Sequence, residues 1–407
     1  MDAQVIEIGI SDSDVVKLVP VTFREDRGNY LIGCSEYRNC CSTSALGMRA
    51  IQLLRTGLTI GAVRERLRDE TGAAEVTFVP LLEHLIALGA VVSIGSRPVP
   101  VPRRRFEIAL PGLTRESAGW FFSPAMLFAC ALLLFGAALI CMMRGWPFPG
   151  PAALLLTAKL SLIILVSFGI AMANVIRHEF AHGVAAAYLG ITPRFRIGYR
   201  LFFPVIETDM TGLWMTEKRG RLFALWAGIA SDVFFIALLV VCAAFLQVLR
   251  PSGFTALRIL SVAFFTTGAQ ILWEFNIWFR TDIYYLIAAA LNCRNLHGDA
   301  KEYLKALVRG RKPRRYFPPG VKTYAWCLVL GYPVASLSFA AYCIGVGKSV
   351  FTSVWQESAF HPIGIGPTAK AAIVAVFLSE LLLLVWAKYS ELHTRAPSYR
   401  IVMGASQ

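Results

Sequence analysis

Two histidines and a glutamate at positions 178–182 have a spacing suited to metal chemistry. His178 and His182 are four residues apart, and Glu179 follows the first of them. The alanine-rich stretch 183–189 predicts a helix, in which positions i and i+4 share one face. Two imidazoles on one face can bind one Zn²⁺, and the neighbouring carboxylate can take a proton from water at the metal. The spacing predicts a catalytic zinc site, and the plainer alternative is a pair of interfacial histidines.

Two histidines leave a catalytic zinc one protein ligand short, because such sites combine three protein ligands with an open position. We expect Asp282 to be the third, since it follows a predicted membrane span and returns to the depth of His178. The alternative for Asp282 is a solvated acid paired with Arg280. The other candidates are Asp209, Asp232, Glu274 and His297. Among these, Asp232 and Glu274 could orient a ligand through a hydrogen bond.

The composition is that of a membrane protein. Of 407 residues, 56% are hydrophobic and 16% are charged, which is too apolar for an ordinary soluble domain. The net charge of +14 is explained by basic cytoplasmic loops, and no soluble part concentrates a basic face for nucleic acid. The nine cysteines lack paired C-x-x-C spacing and predict no zinc knuckle. The first 18 residues have no apolar signal region, so we expect the chain to start in the cytosol.

Six apolar stretches of about 20 residues or more are long enough to cross a ~30 Å bilayer core. They are Trp120–Met143, Ala152–Asn174, Leu222–Leu249, Leu257–Trp278, Tyr324–Val346 and Ile365–Trp386. Lysine and arginine concentrate in alternate loops, which predicts a multi-pass protein of the inner (cytoplasmic) membrane with both termini in the cytoplasm. This topology places His178 at the cytoplasmic end of the second span.

Four regions follow along the chain. Residues 1–97 are predicted to form a small cytosolic α+β domain of the winged-helix type, and 98–118 form a linker rich in proline and arginine. Residues 119–390 form an all-α transmembrane domain, and 391–407 form a cytosolic tail. In the first region, a strand at Asn29–Gly33 precedes helices capped by Ser42–Ser44 and by Thr59. A third helix at Val79–Leu88 and a strand at Gly89–Ile94 complete it.

This order of elements resembles the PqqD-like peptide-chaperone domain, which recognises the leader peptides of ribosomally made, modified peptides. The resemblance covers most of Tyr30–Ile94. It implies that the domain holds a leader peptide. The alternatives are a structural cap on a membrane enzyme and a DNA-binding winged helix.

A second resemblance rests on His178-Glu-Phe-Ala-His-Gly183 and on Asn276-x5-Asp282-x-Tyr284-Tyr285. These motifs resemble those of the site-2 protease family of membrane-embedded zinc metallopeptidases, nearest to the branch found with modified-peptide and bacteriocin biosynthesis. The stretches Phe203–Asp209 and Arg221–Asp232 are also similar to family segments. Three positions depart from the family pattern: Ile277 replaces a proline, Ile283 replaces a glycine, and Gly228-Ile-Ala lacks the proline of the family's Ala-Gly-Pro stretch.

The family resemblance implies that His178, His182 and Asp282 hold Zn²⁺ and that Glu179 is the general base and acid. It also implies that Asn276 holds the substrate strand or the oxyanion. The expected function is metalloendopeptidase cleavage of a leader or modified peptide near the cytoplasmic side. The expected partners are a peptide or membrane-associated substrate, the lipid bilayer, a precursor peptide and other modification or export proteins, but no nucleic acid.

Two other functions remain open. One is a non-catalytic membrane component for export, immunity or scaffolding that retains a vestigial zinc site. The other is a regulated intramembrane protease that releases a membrane-tethered factor.

Overall fold

The computed structural model describes residues 5–26, 28–34, 40–72, 78–99, 107–148, 160–200, 203–249, 254–310 and 317–331, with scattered positions from 333 to 389 and residues 398–403. The chain is mostly helical and carries a small sheet-containing domain near its amino terminus, which confirms that part of the predicted fold class. Two compact units divide it. Unit 1 comprises Met1–Ile108, Asp209–Glu217 and Trp386–Gln407, and unit 2 comprises Ala109–Thr208 and Lys218–Val385.

Unit 1 combines short strands with three helices. In chain order these are β1 (Val5–Ile10), β2 (Val16–Leu18), β3 (Val21–Asp26), β4 (Asn29–Cys34), β5 (Cys40–Thr43), α1 (Ala45–Leu54), α2 (Ile60–Thr71), α3 (Val79–Leu88), β6 (Val91–Ile94) and β7 (Arg97–Pro98). One antiparallel sheet has the order β3-β4-β5 and another the order β2-β6-β7. The predicted strand around residue 30, the three helices and the strand before residue 94 are all present.

Helices α1 and α2 of unit 1 begin where local capping predicts. The Ser44 hydroxyl accepts the Gly47 N–H at the start of α1, and the Thr59 hydroxyl accepts the Ala62 N–H at the start of α2. Each cap satisfies a backbone donor that the first helical turn leaves unpaired. The apolar faces of the helices meet in one core that includes Ile51, Leu67, Leu82, Leu85 and Ile86.

The carboxyl-terminal residues are also part of unit 1. Strand β11 (Ser398–Met403) pairs in parallel with β1, with Val5 opposite Ser398 and Ile10 opposite Met403. The segment 391–407, predicted as a tail, therefore contributes a strand to the domain that begins the chain.

Unit 2 is built of long helices and one hairpin. Its elements are α4 (Arg115–Phe121), α5 (Pro124–Arg144), α6 (Leu160–Tyr188), β9 (Arg194–Arg200), β10 (Phe203–Thr208), α7 (Lys218–Leu249), α8 (Phe254–Glu274), α9 (Asp282–Ala290) and α10 (Leu296–Val308). The short strand β8 (Ile108–Ala109) lies where the two units join along the chain. A further helical segment runs from 319 to 331.

Three helices in the described part of the chain are long and apolar enough to cross a membrane: Arg115–Arg144, Lys218–Leu249 and Thr255–Glu274. They match the first, third and fourth predicted spans. In the first, Ser123 caps α5 and Pro124 occupies its first turn, so the span consists of two helices separated by Phe122 and Ser123. The start of the second predicted span, most of the fifth beyond residue 331 and most of the sixth lie outside the described residues.

Candidate metal centre

His178, His182 and Asp282 meet in one buried group. The Nε2 atom of His178 lies 2.9 Å from Asp282 Oδ2, and the Nε2 atom of His182 lies 2.6 Å from the same oxygen. The three potential ligand atoms lie within 4.8 Å of one another. All three residues are at most 8% exposed. Two ring nitrogens and a carboxylate oxygen could together hold a metal ion.

Helix α6 supplies both imidazoles. It is continuous from Leu160 to Tyr188, so positions 178 and 182 lie on one face. The ring centroids are 5.0 Å apart and the ring planes meet at 75°. Asp282 belongs to the first turn of α9, which faces the same point from another part of unit 2.

The second nitrogen of each ring is held by an acceptor on α7. The Nδ1–H of His178 donates to Asp232 Oδ2 at 2.8 Å, and the Nδ1–H of His182 donates to the Ala224 carbonyl at 2.8 Å. Because each neutral ring then carries its hydrogen on Nδ1, both Nε2 lone pairs point toward the Asp282 carboxylate. The two Nε2 lone pairs and the Asp282 carboxylate oxygen are all acceptors, and they converge in this way only when a cation or protons lie among them. The donor set therefore fits a metal ion held through both Nε2 atoms.

A row of small residues on α7 makes room for the rings. Ala224, Gly228 and Asp232 recur every fourth residue and are all buried in one face of the helix. A Cβ at Gly228 would lie against the Nε2 atoms of both histidines and 2.7 Å from Cε1 of His178. Glycine at this position is what lets the α7 backbone pass directly beside the imidazoles.

The loop before Asp282 is fixed by Glu274. The Glu274 carboxylate accepts the Asp282 N–H at 2.7 Å, and the Glu274 carbonyl accepts the Thr281 hydroxyl at 2.7 Å. Between them, Ile277–Phe279 forms a 3-10 turn that ends at Arg280, whose φ of 59° lies in the left-handed region. This turn occupies the position where the resemblance anticipates a proline, and it leads directly into α9.

Glu179 is anchored by Thr208 at the end of β10. The Thr208 N–H donates to Glu179 Oε2 at 2.7 Å, and its hydroxyl donates to the Glu179 carbonyl at 2.8 Å. The carboxylate is thus held through Oε2 beside His178, His182 and Asp282.

The remaining predicted residues lie outside the three-residue group. The Asn276 side chain donates to the Trp273 carbonyl at 3.1 Å. The Asp209 carboxylate accepts the N–H and the hydroxyl of Thr211, where a 3-10 turn begins. His297 N–H donates to the Tyr284 hydroxyl at 3.1 Å.

His297 is predicted to make the fold pH-sensitive. Burial, followed by the charges of Lys301 and Arg280, lowers its pKa to about 4 from an ordinary value near 6.5. As pH falls from about 6.5 to about 4, the unfolded chain gains a proton at this residue that the folded chain does not, so stability is lost across that window. His297→Asn, which keeps a donor toward the Tyr324 hydroxyl, should reduce that loss. The loss of stability is measured by thermal unfolding of the full-length parent and the His297→Asn variant at pH 7 and pH 5. An equal loss between the two pH values in parent and variant would contradict the role of His297.

Three supporting contacts were not predicted from the sequence: the Ala224 carbonyl, the close approach of Gly228 and the Thr208 clamp on Glu179. A signal for the first two was present, because Ala224 and Gly228 precede Asp232 at four-residue spacing on a predicted helix. No local pattern marks Thr208. No family model, curated protein or solved structure matches the chain.

Proposed function

We propose that this chain is a membrane-embedded zinc metalloendopeptidase of the site-2 protease type that cleaves a peptide near the cytoplasmic face. The observation that carries the proposal is the buried His178, His182 and Asp282 group, with Glu179 beside it. Two imidazoles and one carboxylate are a ligand set typical of catalytic zinc, which keeps one coordination position open. Zinc held there would supply Lewis acidity, lowering the pKa of water and polarising a peptide carbonyl.

Other residues of the chain orient the metal ligands and transfer the proton. Asp232 and the Ala224 carbonyl orient the two rings through their Nδ1–H groups. Glu274 holds the turn that presents Asp282. Glu179 takes a proton from the attacking water and returns it to the leaving amine, because its carboxylate lies beside the three ligands without being one of them. The Thr208 amide keeps that carboxylate in place.

A membrane location is supported by helices that expose apolar surface along their length. On α5, Phe128, Phe135 and Met142 are 71%, 67% and 84% exposed. A helix with such a surface requires apolar surroundings. We propose six spans with both termini in the cytoplasm, because lysine and arginine concentrate in alternate loops.

The amino-terminal domain is proposed to hold the peptide. The order on which the PqqD-like resemblance rests, strand, three helices, strand, corresponds to β4, then α1, α2 and α3, then β6, with β5 added between β4 and α1. A cavity of about 330 Å³ opens between β5, α1 and α3 and is lined by side chains that include Cys41, Leu46, Phe78, Leu81 and Leu85. We infer that this cavity receives apolar side chains of a leader peptide.

Metal removal tests the proposal on the whole protein. The purified full chain in detergent should contain about one zinc per molecule. Incubated with a library of unmodified peptides and read by mass spectrometry for new termini, it should produce cuts that a chelator abolishes and added Zn²⁺ restores. A zinc-free protein would overturn the metal site. Zinc without any restorable cleavage would favour the non-catalytic membrane component with a vestigial site.

A further inference from the structure

Arg177 precedes the first histidine and is bound to the helix that faces it. Its Nη2 donates to Asp232 Oδ1 at 2.6 Å, and its Nη1 donates to the Ser231 hydroxyl at 2.7 Å. The guanidinium carbon lies 4.5 Å from the centroid of the Phe235 ring. Three residues of α7, Ser231, Asp232 and Phe235, therefore contact the Arg177 side chain.

We propose that Arg177 and Asp232 act together as a positioning pair for His178, so that metal affinity depends on an arginine side chain that acts through the carboxylate of Asp232. The inference rests on the proposed metal site. Asp232 divides its carboxylate between two donors: Oδ2 accepts from the ring of His178 and Oδ1 accepts from Arg177. The arginine thereby fixes the angle at which the carboxylate meets the imidazole.

Burial makes this pairing necessary. Asp232 is 0% exposed, and a buried carboxylate is stable only when its charge is compensated and its oxygens are hydrogen-bonded. If Arg177 is removed, Oδ1 loses the donor that the structure gives it. The carboxylate is then free to rotate toward another donor, and the His178 ring loses its fixed acceptor.

The two histidines differ in how they can be disturbed. His182 is oriented by the main-chain carbonyl of Ala224, which persists in any substitution of that residue. His178 is oriented by a side chain, and that side chain is held by another. Changes at Arg177 and Asp232 should therefore act on one ligand of three, weakening the site without dismantling it.

Electrostatic repulsion alone predicts that removing Arg177 changes metal affinity in the direction opposite to that expected from the positioning role. Removing a positive charge near a cation site lowers repulsion and should tighten metal binding. The positioning role predicts weaker binding, because the lost orientation affects a ligand directly. The direction of the change in affinity thus separates the two explanations.

The experiment measures Zn²⁺ affinity of the full chain in detergent by competition with a chromophoric chelator. Asp232→Asn should weaken binding by about 10- to 100-fold, as expected when the hydrogen-bond partner of a ligating histidine is lost. Arg177→Met should weaken it by a smaller factor. Arg177→Lys should fall between Arg177→Met and the parent, because lysine keeps the charge but cannot hold Ser231 and Asp232 in a fork.

The double variant gives the sharpest result. An asparagine has one accepting end and one donating end, so beside Arg177 it must present a donor to a donor. With methionine at 177, the amide oxygen is free to turn toward His178. Arg177→Met combined with Asp232→Asn should therefore bind Zn²⁺ at least as tightly as Asp232→Asn alone.

Arg196→Gln is the matched control, because Arg196 pairs with Glu207 in the β9–β10 hairpin and neither residue belongs to the metal group. It should retain the parent affinity, and the visible spectrum of bound Co²⁺ should change only in the Arg177 and Asp232 variants. If Arg177→Met binds Zn²⁺ as tightly as the parent, the positioning role of Arg177 and Asp232 is overturned. It is also overturned if the loss of affinity in the double variant is the sum of the losses in the two single variants. If Arg177→Met fails to fold, Arg177→Lys carries the test, and parental affinity in that variant overturns the pair. A parent that binds no metal overturns the proposed function itself.

Discussion

Alanine at position 228 is expected to remove the metal site. Gly228 lies in α7 where the backbone passes the two imidazoles, and an added Cβ would overlap the Nε2 atoms of both His178 and His182. Those atoms are the ones that would face the metal. Neither ring can retreat freely, because Asp232 and the Ala224 carbonyl hold the opposite ring nitrogens. We expect the zinc content to fall from about one ion per chain to a small fraction of that value.

The expected loss does not come from the helix itself. Alanine is favoured over glycine inside a helix by roughly 1 kcal/mol, so Gly228→Ala should leave α7 intact or more stable. Gly268→Ala in α8 is the matched control, because nothing lies within 4 Å of the Cβ it would add. Metal analysis of both purified variants gives the comparison. Full zinc content in Gly228→Ala would mean that the rings bind metal from positions other than those beside α7.

Local signals were sufficient for much of the fold. Helix α3 spans Val79–Leu88 as predicted, and Ser44 and Thr59 cap α1 and α2. Such features depend on residues a few positions apart, and a single sequence contains them in full. The first span was predicted as continuous from Trp120 to Met143, although Ser123 followed by Pro124 is a helix-start signal inside that apolar run.

Contacts between distant residues were not readable in the same way. The pairing of β1 with β11 joins the two ends of the chain, and neither strand carries a mark of its partner. The convergence of His178 and Asp282 was predicted from membrane topology, which returns Asp282 to the depth of His178, and from the motif resemblance; the local sequence around Asp282 does not identify its partner. The Thr208 clamp depends on how the β10 strand lies beside α6, which no spacing along the chain encodes.

The turn before Asp282 is held in place without the proline and glycine that the resemblance to the site-2 protease pattern predicts there. With Ile277 and Ile283 in place of proline and glycine, rigidity comes instead from Glu274, which binds both the Asp282 amide and the Thr281 hydroxyl. Arg280 takes the left-handed conformation that a glycine adopts more easily, at a cost of about 1–3 kcal/mol. Loops that retain such conformations do so because surrounding contacts determine them, and this one presents a metal ligand.

Glu179→Gln is expected to separate metal binding from cleavage. The amide has nearly the same shape as the carboxylate, and its oxygen can still accept the Thr208 N–H that Glu179 Oε2 accepts. Residue 179 is not one of the three proposed metal ligands, so the zinc content of the variant should remain near that of the parent. It cannot take a proton from water at neutral pH, and loss of a general base lowers rates by about 10²- to 10⁴-fold.

The measurement is the rate at which new peptide termini appear in the library assay, for zinc-loaded parent and variant side by side. Glu207→Gln is the matched control, because it makes the same chemical change one residue from Thr208 in a side chain that pairs with Arg196. It should cleave at close to the parent rate. Cleavage by Glu179→Gln at the parent rate would remove Glu179 from the base role. That result would mean that the proton acceptor lies on another element or on the substrate.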